Sequence, residues 1–360
     1  MHYCLVKEKI KVVTYYIMFL IIGILLFLGR TKQFQQLKKA NFFLVGAILI
    51  LVSGLRYTPG GDYLTYSIEY EQAKISGFFS GIPIASVLIA NLSQLIYDDY
   101  ATWFFIYAII TVGVINHTLY KRSINFEYSI LLFIFMGPWH ESFNAVKQYA
   151  AIAVLFWAQQ FLFTKNLKKW ALSCLGAMCF HPTAILMVPA YFLVTTKINV
   201  KKVIAYAFIA IVLAMSYEYL FEVASFLKAD TATTALGSDV GSRSVNLLRI
   251  VVNCVPAIFY LLMREFHGLK KSNELTVWAN FSLLNAMIFI AGSQSVYVTR
   301  FALYTAIFGT LLYPHLLSEI RDRKIRFIIG TFILIAYFIF WNVDVTKTEL
   351  TSNFQWIFDR

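Results

Sequence analysis

NFFLVGAILILVSGLRYTPGGDY, residues 41–63, passes from an apolar helix signal straight into a polar turn. Asn41 to Leu55 carries no charge and reads as a membrane-crossing helix, so RYTPGGDY (Arg56–Tyr63) lies where that helix leaves the bilayer. Within about eleven residues this exit gathers a cation, a carboxylate, a Pro-Gly-Gly turn and the phenols Tyr57, Tyr63 and Tyr66. Charge held at the edge of a bilayer is costly and marks a functional site by default.

The rest of the chain repeats the apolar pattern. Mean hydropathy is +0.66, with 33 Phe and 22 Tyr in 360 residues, which excludes an ordinary soluble domain. Hydrophobic runs predict about ten spans, near 12–29, 41–55, 101–119, 128–143, 145–163, 200–221, 245–263, 275–291, 301–318 and 327–342. The first run has no small-residue cleavage site and reads as a retained span. Cys4, Cys174, Cys179 and Cys254 show no metal spacing and are expected as free, buried thiols. No repeat, linker or low-complexity tract divides the chain. The expectation is a single all-α, polytopic membrane domain over 1–360.

A net charge of +12 suggests nucleic acid in a soluble protein, but here the positive-inside rule explains it, so no nucleic-acid partner is expected. Basic connectors at 30–40, 121–122, 165–169, 197–202, 264–271 and 321–326 all fall on one face if the amino terminus is outside. Lys7, Lys9 and Lys11 dissent from that threading. Residues 82–97, ending at Asp98-Asp99, would invert every later loop as a span, so they are predicted as an interfacial or re-entrant helix. In 170–195, eleven residues before His181 reach only about 17 Å as helix. A hairpin that lifts His181-Pro182 to mid-membrane or beyond fits the basic flanks.

On this threading the polar groups converge on the outer side. Arg56 and Asp62 open the first outer loop; His140, Glu141, Asn144, Lys147 and Gln148 form the turn between the fourth and fifth spans. Arg243 and Arg249 lie at the outer start of the seventh span, Arg300 opens the ninth, and His181 approaches from below. Cations interleaved with aromatics suit a diphosphate at headgroup level, because the guanidinium fork meets phosphate oxygens two at a time. Tyr57, Tyr63, Trp139, Tyr297 and Tyr304 are placed to stack on sugars. Blander readings compete: interface anchors for the aromatics and arginines, an Arg56–Asp62 ion pair closing the turn, a snorkelling Lys147, and a helix-end hydrogen bond for His181.

The chain resembles the EpsG family of Wzy-like polysaccharide polymerases. Four features in order carry the resemblance: RYTPGGDYLTY (56–66); the amphipathic stretch leading to a Phe-rich span (80–110); FNAVKQYAAIAVLFWAQQFLF (143–163) with the later FHPTAIL; and Arg300-Phe301 before Tyr304. Lys147-Gln148 stands where the family usually has Arg-Gln, exchanging a bidentate fork for a point charge.

The resemblance implies an all-helical fold similar to GT-C membrane glycosyltransferases, sited in the cytoplasmic (inner) membrane. The implied reaction polymerises polyprenyl-diphosphate-linked oligosaccharides at the extracytoplasmic face, in capsule or exopolysaccharide synthesis. A flippase and a chain-length regulator are the implied partners besides membrane lipid.

Diphosphate binding is expected from Arg56, Arg249 and Arg300, with Lys147 assisting and Arg243 beside them. Sugar contacts are expected from Tyr57, Tyr63, Tyr66, Gln148 and Tyr304. Asp62 is the first choice for base, then Glu141 or His140, then His181. No Asp-x-Asp occurs and the histidines lie on different faces, so metal-independent, inverting transfer without a cofactor is expected. A polyprenyl-phosphate-sugar glycosyltransferase, using Asp62 with Glu69 or Glu71, is the alternative, and a lipid-linked glycan flippase a more distant one.

Overall fold

The computed structural model describes residues 2–30, 38–57, 59–79, 81–216, 244–269, 272–346 and 354–360. Arg243 falls outside the described residues. Among the described residues the secondary structure is helical apart from one two-stranded ladder, and the chain packs as two compact units, each discontinuous in sequence. Residues 1–157, 172–185 and 328–360 form the first unit; 158–171 and 186–327 form the second.

The first unit is organised by the antiparallel pair Lys38–Gly54 and Tyr100–Arg122. Small residues set their approach: a Cβ at Gly46 would lie 2.5 Å from Asn116 Nδ2, and one at Gly54 2.5 Å from Phe105 Cδ2. Asn116 donates to Phe42 O at 3.1 Å at the other end. The pair therefore puts Arg56 and Tyr100 together at one end of the unit, and Phe42, Tyr120 and Phe126 at the other. Arg323–Thr346 follows the same sense, with Gly330 O receiving Tyr128 Oη at 2.9 Å while Trp341 packs on Tyr15 at the Arg56 end.

Two shorter helices lie over the Arg56 end. Tyr63–Ser76 buries Tyr63, Tyr66, Tyr70 and Ala73, a stripe at helical spacing. Ile84–Ile96 buries Ala85, Val87, Ile89 and Ala90, and leaves Leu88, Leu92, Leu95 and Ile96 exposed. Thirteen residues of helix span about 20 Å, shorter than the hydrocarbon core, and the helix carries an apolar outer face. All of these share one core, in which Trp103, Phe104 and Tyr107 meet Val146 and Ala150.

The carboxy-terminal residues return to the same end, which sequence reasoning missed. Gln355–Trp356 pairs antiparallel with Arg56–Tyr57, and Ile357 N–H donates to Leu55 O at 2.8 Å. Arg360 closes a fork on Asp99, with one nitrogen 3.0 Å from Oδ1, and its guanidinium stacks over Tyr100.

The second unit is built on Asn273–Ala291, whose apolar window is 72% buried. Val200–Met215 and Leu247–His267 pack against it, and Phe281 stacks on Phe308 at 3.8 Å. Asn280 donates to Val194 O (2.9 Å) and Thr196 O (2.8 Å) and accepts from Lys202 Nζ (2.7 Å), so one buried amide joins three segments.

Among the described residues four helices are long and apolar enough to cross a membrane: Tyr100–Arg122, Leu247–His267, Asn273–Ala291 and Arg323–Thr346. A fifth crossing results if Val296–Ala306 and Gly309–Glu319, bent by 50°, count as one. The expected 128–143 and 145–163 spans resolve into shorter pieces, Phe126–Phe135 and Val146–Ala158, because Gly137 at φ +108° and Pro138 break the helix between them. The cysteine expectation also needs correction. Cys174 is buried and Cys254 half-buried, but Cys179 is exposed where its helix ends.

Candidate functional site

The Pro-Gly-Gly turn is held in one conformation by its neighbours. Gly60 has φ +116°, and a Cβ there would meet Phe143 O at 2.9 Å, so this position needs glycine on both counts. Gly60 O then accepts from Tyr63 N–H at 3.1 Å, which starts the Tyr63–Ser76 helix. Asp62 sits at the helix entrance, and its N–H donates to Asn144 Oδ1 at 2.9 Å. The first and third sequence motifs are thereby tied together.

Arg56 is the buried hinge of this arrangement. It is 3% exposed; Nη1 donates to Ser53 O, Nη2 to Phe143 O at 3.0 Å, and Cζ lies 4.7 Å and 5.0 Å from the Phe143 and Phe104 ring centres. Both terminal nitrogens are spent on main-chain carbonyls between two rings. A diphosphate would have to displace them.

Lys147 goes elsewhere. Its Nζ stands 2.5 Å from Glu69 Oε2 and 5.5 Å from the Tyr66 ring centre, with the ammonium and carboxylate side chains 16% and 13% exposed. Glu69 projects from the same helix as Tyr66, three residues on, and Tyr66 in turn packs against Trp103 and Phe104. Tyr107 and Ser86 share a hydrogen bond at 2.8 Å beside it. Sequence reasoning gave Glu69 only a supporting part. The available signal was a carboxylate sitting inside a buried aromatic stripe, which helix periodicity exposes.

The other predicted residues divide between core and site edge. Tyr63 stacks on Phe104 at 4.6 Å and is 2% exposed, and Tyr57 packs edge-on to it. His140 sits among Tyr15, Phe143, Trp139 and Trp341, with ring centres 4.9–5.9 Å away. Glu141 accepts from Tyr149 Oη at 2.6 Å, and Gln148 is buried. His181 bonds Thr183 Oγ1 at 2.7 Å through Nδ1, while the adjacent Phe180 packs on Tyr107 and Cys179 O receives Ala85 N–H at 2.9 Å. The break before Pro182 therefore reaches the level of the Ile84 and Tyr107 turns.

The predicted phosphate-binding arginines Arg249 and Arg300 belong to the second unit. Arg249 is exposed on the first turn of Leu247–His267, and Val245 N–H donates to Ser293 O at 2.8 Å just before it. Arg300, seven residues beyond Ser293, lies 5.2 Å from the Tyr297 ring centre, so both arginines occupy one end of that unit. Behind them Asn285 donates to Asn253 O (3.0 Å) and accepts from Thr305 (3.1 Å), next to buried Tyr304.

Nearly the whole of this frame, residues 39–357, matches the model of the EpsG family. The chain belongs to the EpsG family. As a family of Wzy-like polymerases, EpsG places this protein among the membrane enzymes that polymerise exopolysaccharide. Neither a curated protein nor a solved structure matches the chain. The EpsG match runs through Arg56, Lys147, Arg249 and Arg300 and ends just past the carboxy-terminal strand Gln355–Trp356.

Near the turn, the ion pair Lys74–Asp98 (2.7 Å) and Tyr70 Oη on Asp98 (2.6 Å) fasten the far end of Tyr63–Ser76. The Lys74 ammonium and the Tyr70 hydroxyl hold the Asp98 carboxyl below its ordinary range.

Proposed function

We propose that this protein joins polyprenyl-diphosphate-linked oligosaccharide repeat units at the outer face of the cytoplasmic membrane. The observation that carries the reading is the Lys147–Glu69 pair over Tyr66. The third motif delivers a cation, and the helix after RYTPGGDY delivers a carboxylate, to one aromatic-floored, poorly solvated place. Departure of a diphosphate needs a cation where charge builds on the bridging oxygen, and in low-dielectric surroundings that is worth several kcal/mol. Lys147 supplies such a cation as a point charge. The aromatic floor gives a sugar ring a face to rest on.

Arg249 and Arg300 are assigned phosphate contact as a pair in their own right at their end of the second unit. Arg56 is assigned to hold the turn rather than the substrate. Transfer is metal-independent and proceeds with inversion, the acceptor hydroxyl attacking opposite the leaving diphosphate. Asp62, at the entrance of the helix that carries Glu69, stands as a candidate base.

The test uses membranes from a strain lacking the chromosomal copy, supplied with the protein and with lipid-linked repeat units extracted from that strain. A ladder of glycans increasing by one repeat unit is expected. Addition of single sugars, or no reaction with units already on the outer leaflet, would overturn the proposal.

A further inference from the structure

We infer that Glu69 is the proton acceptor for the attacking hydroxyl, and that Lys147 masks it until a diphosphate draws the ammonium away. The inference rests on the polymerase reading above and adds a catalytic residue to it.

The two oxygens of Glu69 are unlike. Oε2 receives Lys147 Nζ at 2.5 Å, whereas Oε1 is buried and has no hydrogen-bond partner among the described residues. A buried carboxylate oxygen without a donor is unstable relative to a bonded one. It is a ready acceptor for an incoming O–H. The titratable groups facing it are Tyr66 on its own helix, Tyr107 from Tyr100–Arg122 and Lys147 from Val146–Ala158. None of these three groups is a carboxylate.

Pairing explains the order of events. With no substrate bound, the Lys147 ammonium holds Glu69 Oε2 at 2.5 Å, so the carboxylate already has its counter-ion. A diphosphate carries more negative charge than a carboxylate and competes for the ammonium. Once Lys147 turns to the phosphate oxygens, the leaving group gains its counter-charge and Glu69 loses its own. The acceptor oxygen then bonds to the anomeric carbon as the bond from that carbon to the diphosphate oxygen breaks. The bonding pair leaves with the polyprenyl diphosphate, and the hydroxyl proton passes to Glu69, which later yields it to water. Activation of the base is in this way conditional on a bound donor.

Initial rates are measured over a range of lipid-linked repeat unit, with wild-type membranes and with Glu69→Gln at matched protein level. A fall in kcat of more than tenfold, with KM changed less than threefold, is the expected result. Lys147→Gln, which also removes the counter-charge of the leaving group, should lower kcat and raise KM at least tenfold. If Glu69→Gln fails to accumulate, Glu69→Gln with Lys147→Gln is measured against Lys147→Gln alone, and a further fall in kcat of more than tenfold is expected. A kcat within tenfold of the reference, wild type for the single variant or Lys147→Gln for the double, overturns the assignment of Glu69. A wild-type ladder alongside that result leaves the polymerase reading standing, while no ladder from wild type sinks both.

Discussion

Replacing Arg56 by methionine tests whether this residue holds the fold or the substrate. The guanidinium makes two charge-assisted hydrogen bonds to Ser53 O and Phe143 O, each worth about 1.5–3 kcal/mol. Two ring contacts, to Phe143 and Phe104, add about 0.5–1 kcal/mol each. Methionine fills similar volume and relieves the cost of burying a charge, which offsets part of the loss. The net expected destabilisation is about 2–4 kcal/mol, and lysine, which keeps the charge but loses the fork, should cost about half that.

Thermal unfolding in detergent, followed by a thiol-reactive dye as buried Cys174 becomes accessible, is the assay. Arg56→Met should lower the midpoint by roughly 5 °C or more. Polymer yield should fall only in proportion to surviving protein. An unchanged midpoint with polymer abolished would refute the structural role and make Arg56 a substrate contact.

Gly60→Ala meets both a positive φ and a main-chain oxygen at 2.9 Å, so a loss of about 1–3 kcal/mol is expected in the same thermal assay, with Gly81→Ala, which meets open space, losing less. Arg360→Ala should cost less than about 1 kcal/mol because its pair with Asp99 is partly exposed, whereas deleting 354–360 strips the strand from Arg56–Tyr57 and should cost clearly more. The Asp98 carboxyl is held below its ordinary range, so its contribution is complete above the unfolded-state value and is lost as pH falls through the lower folded value; Asp98→Asn should flatten the acid limb of midpoint against pH. Single cysteines introduced at the exposed Tyr97 and Lys121, in a background without native cysteines, should label from opposite sides of the membrane, since Tyr100–Arg122 separates them along its length.

Much of the site's neighbourhood is legible in the amino-acid order alone. RYTPGGDY announces a forced turn, because Pro-Gly-Gly followed by Asp leaves few backbone choices, and Gly60 makes that choice. Residues 82–97 read as a helix in the sequence, and 84–96 form one, 13 residues long with an apolar outer face. The roles within the site are less legible. Arg56, His140 and Tyr63 look like substrate groups in the sequence, yet their partners are carbonyls and rings supplied by segments far away along the chain.

Chain order and hydrophobic pattern were enough to determine a helical membrane protein and, through its motifs, its family. Period and charge asymmetry are local or additive properties, so a linear reading captures them. Only tertiary structure decided that Lys147 meets Glu69, that Arg56 lies between two phenylalanines, and that residues 354–360 return to cover the strand at Arg56. Those pairings depend on which helix faces are brought together across long stretches of chain, and no periodicity within one segment encodes its partner.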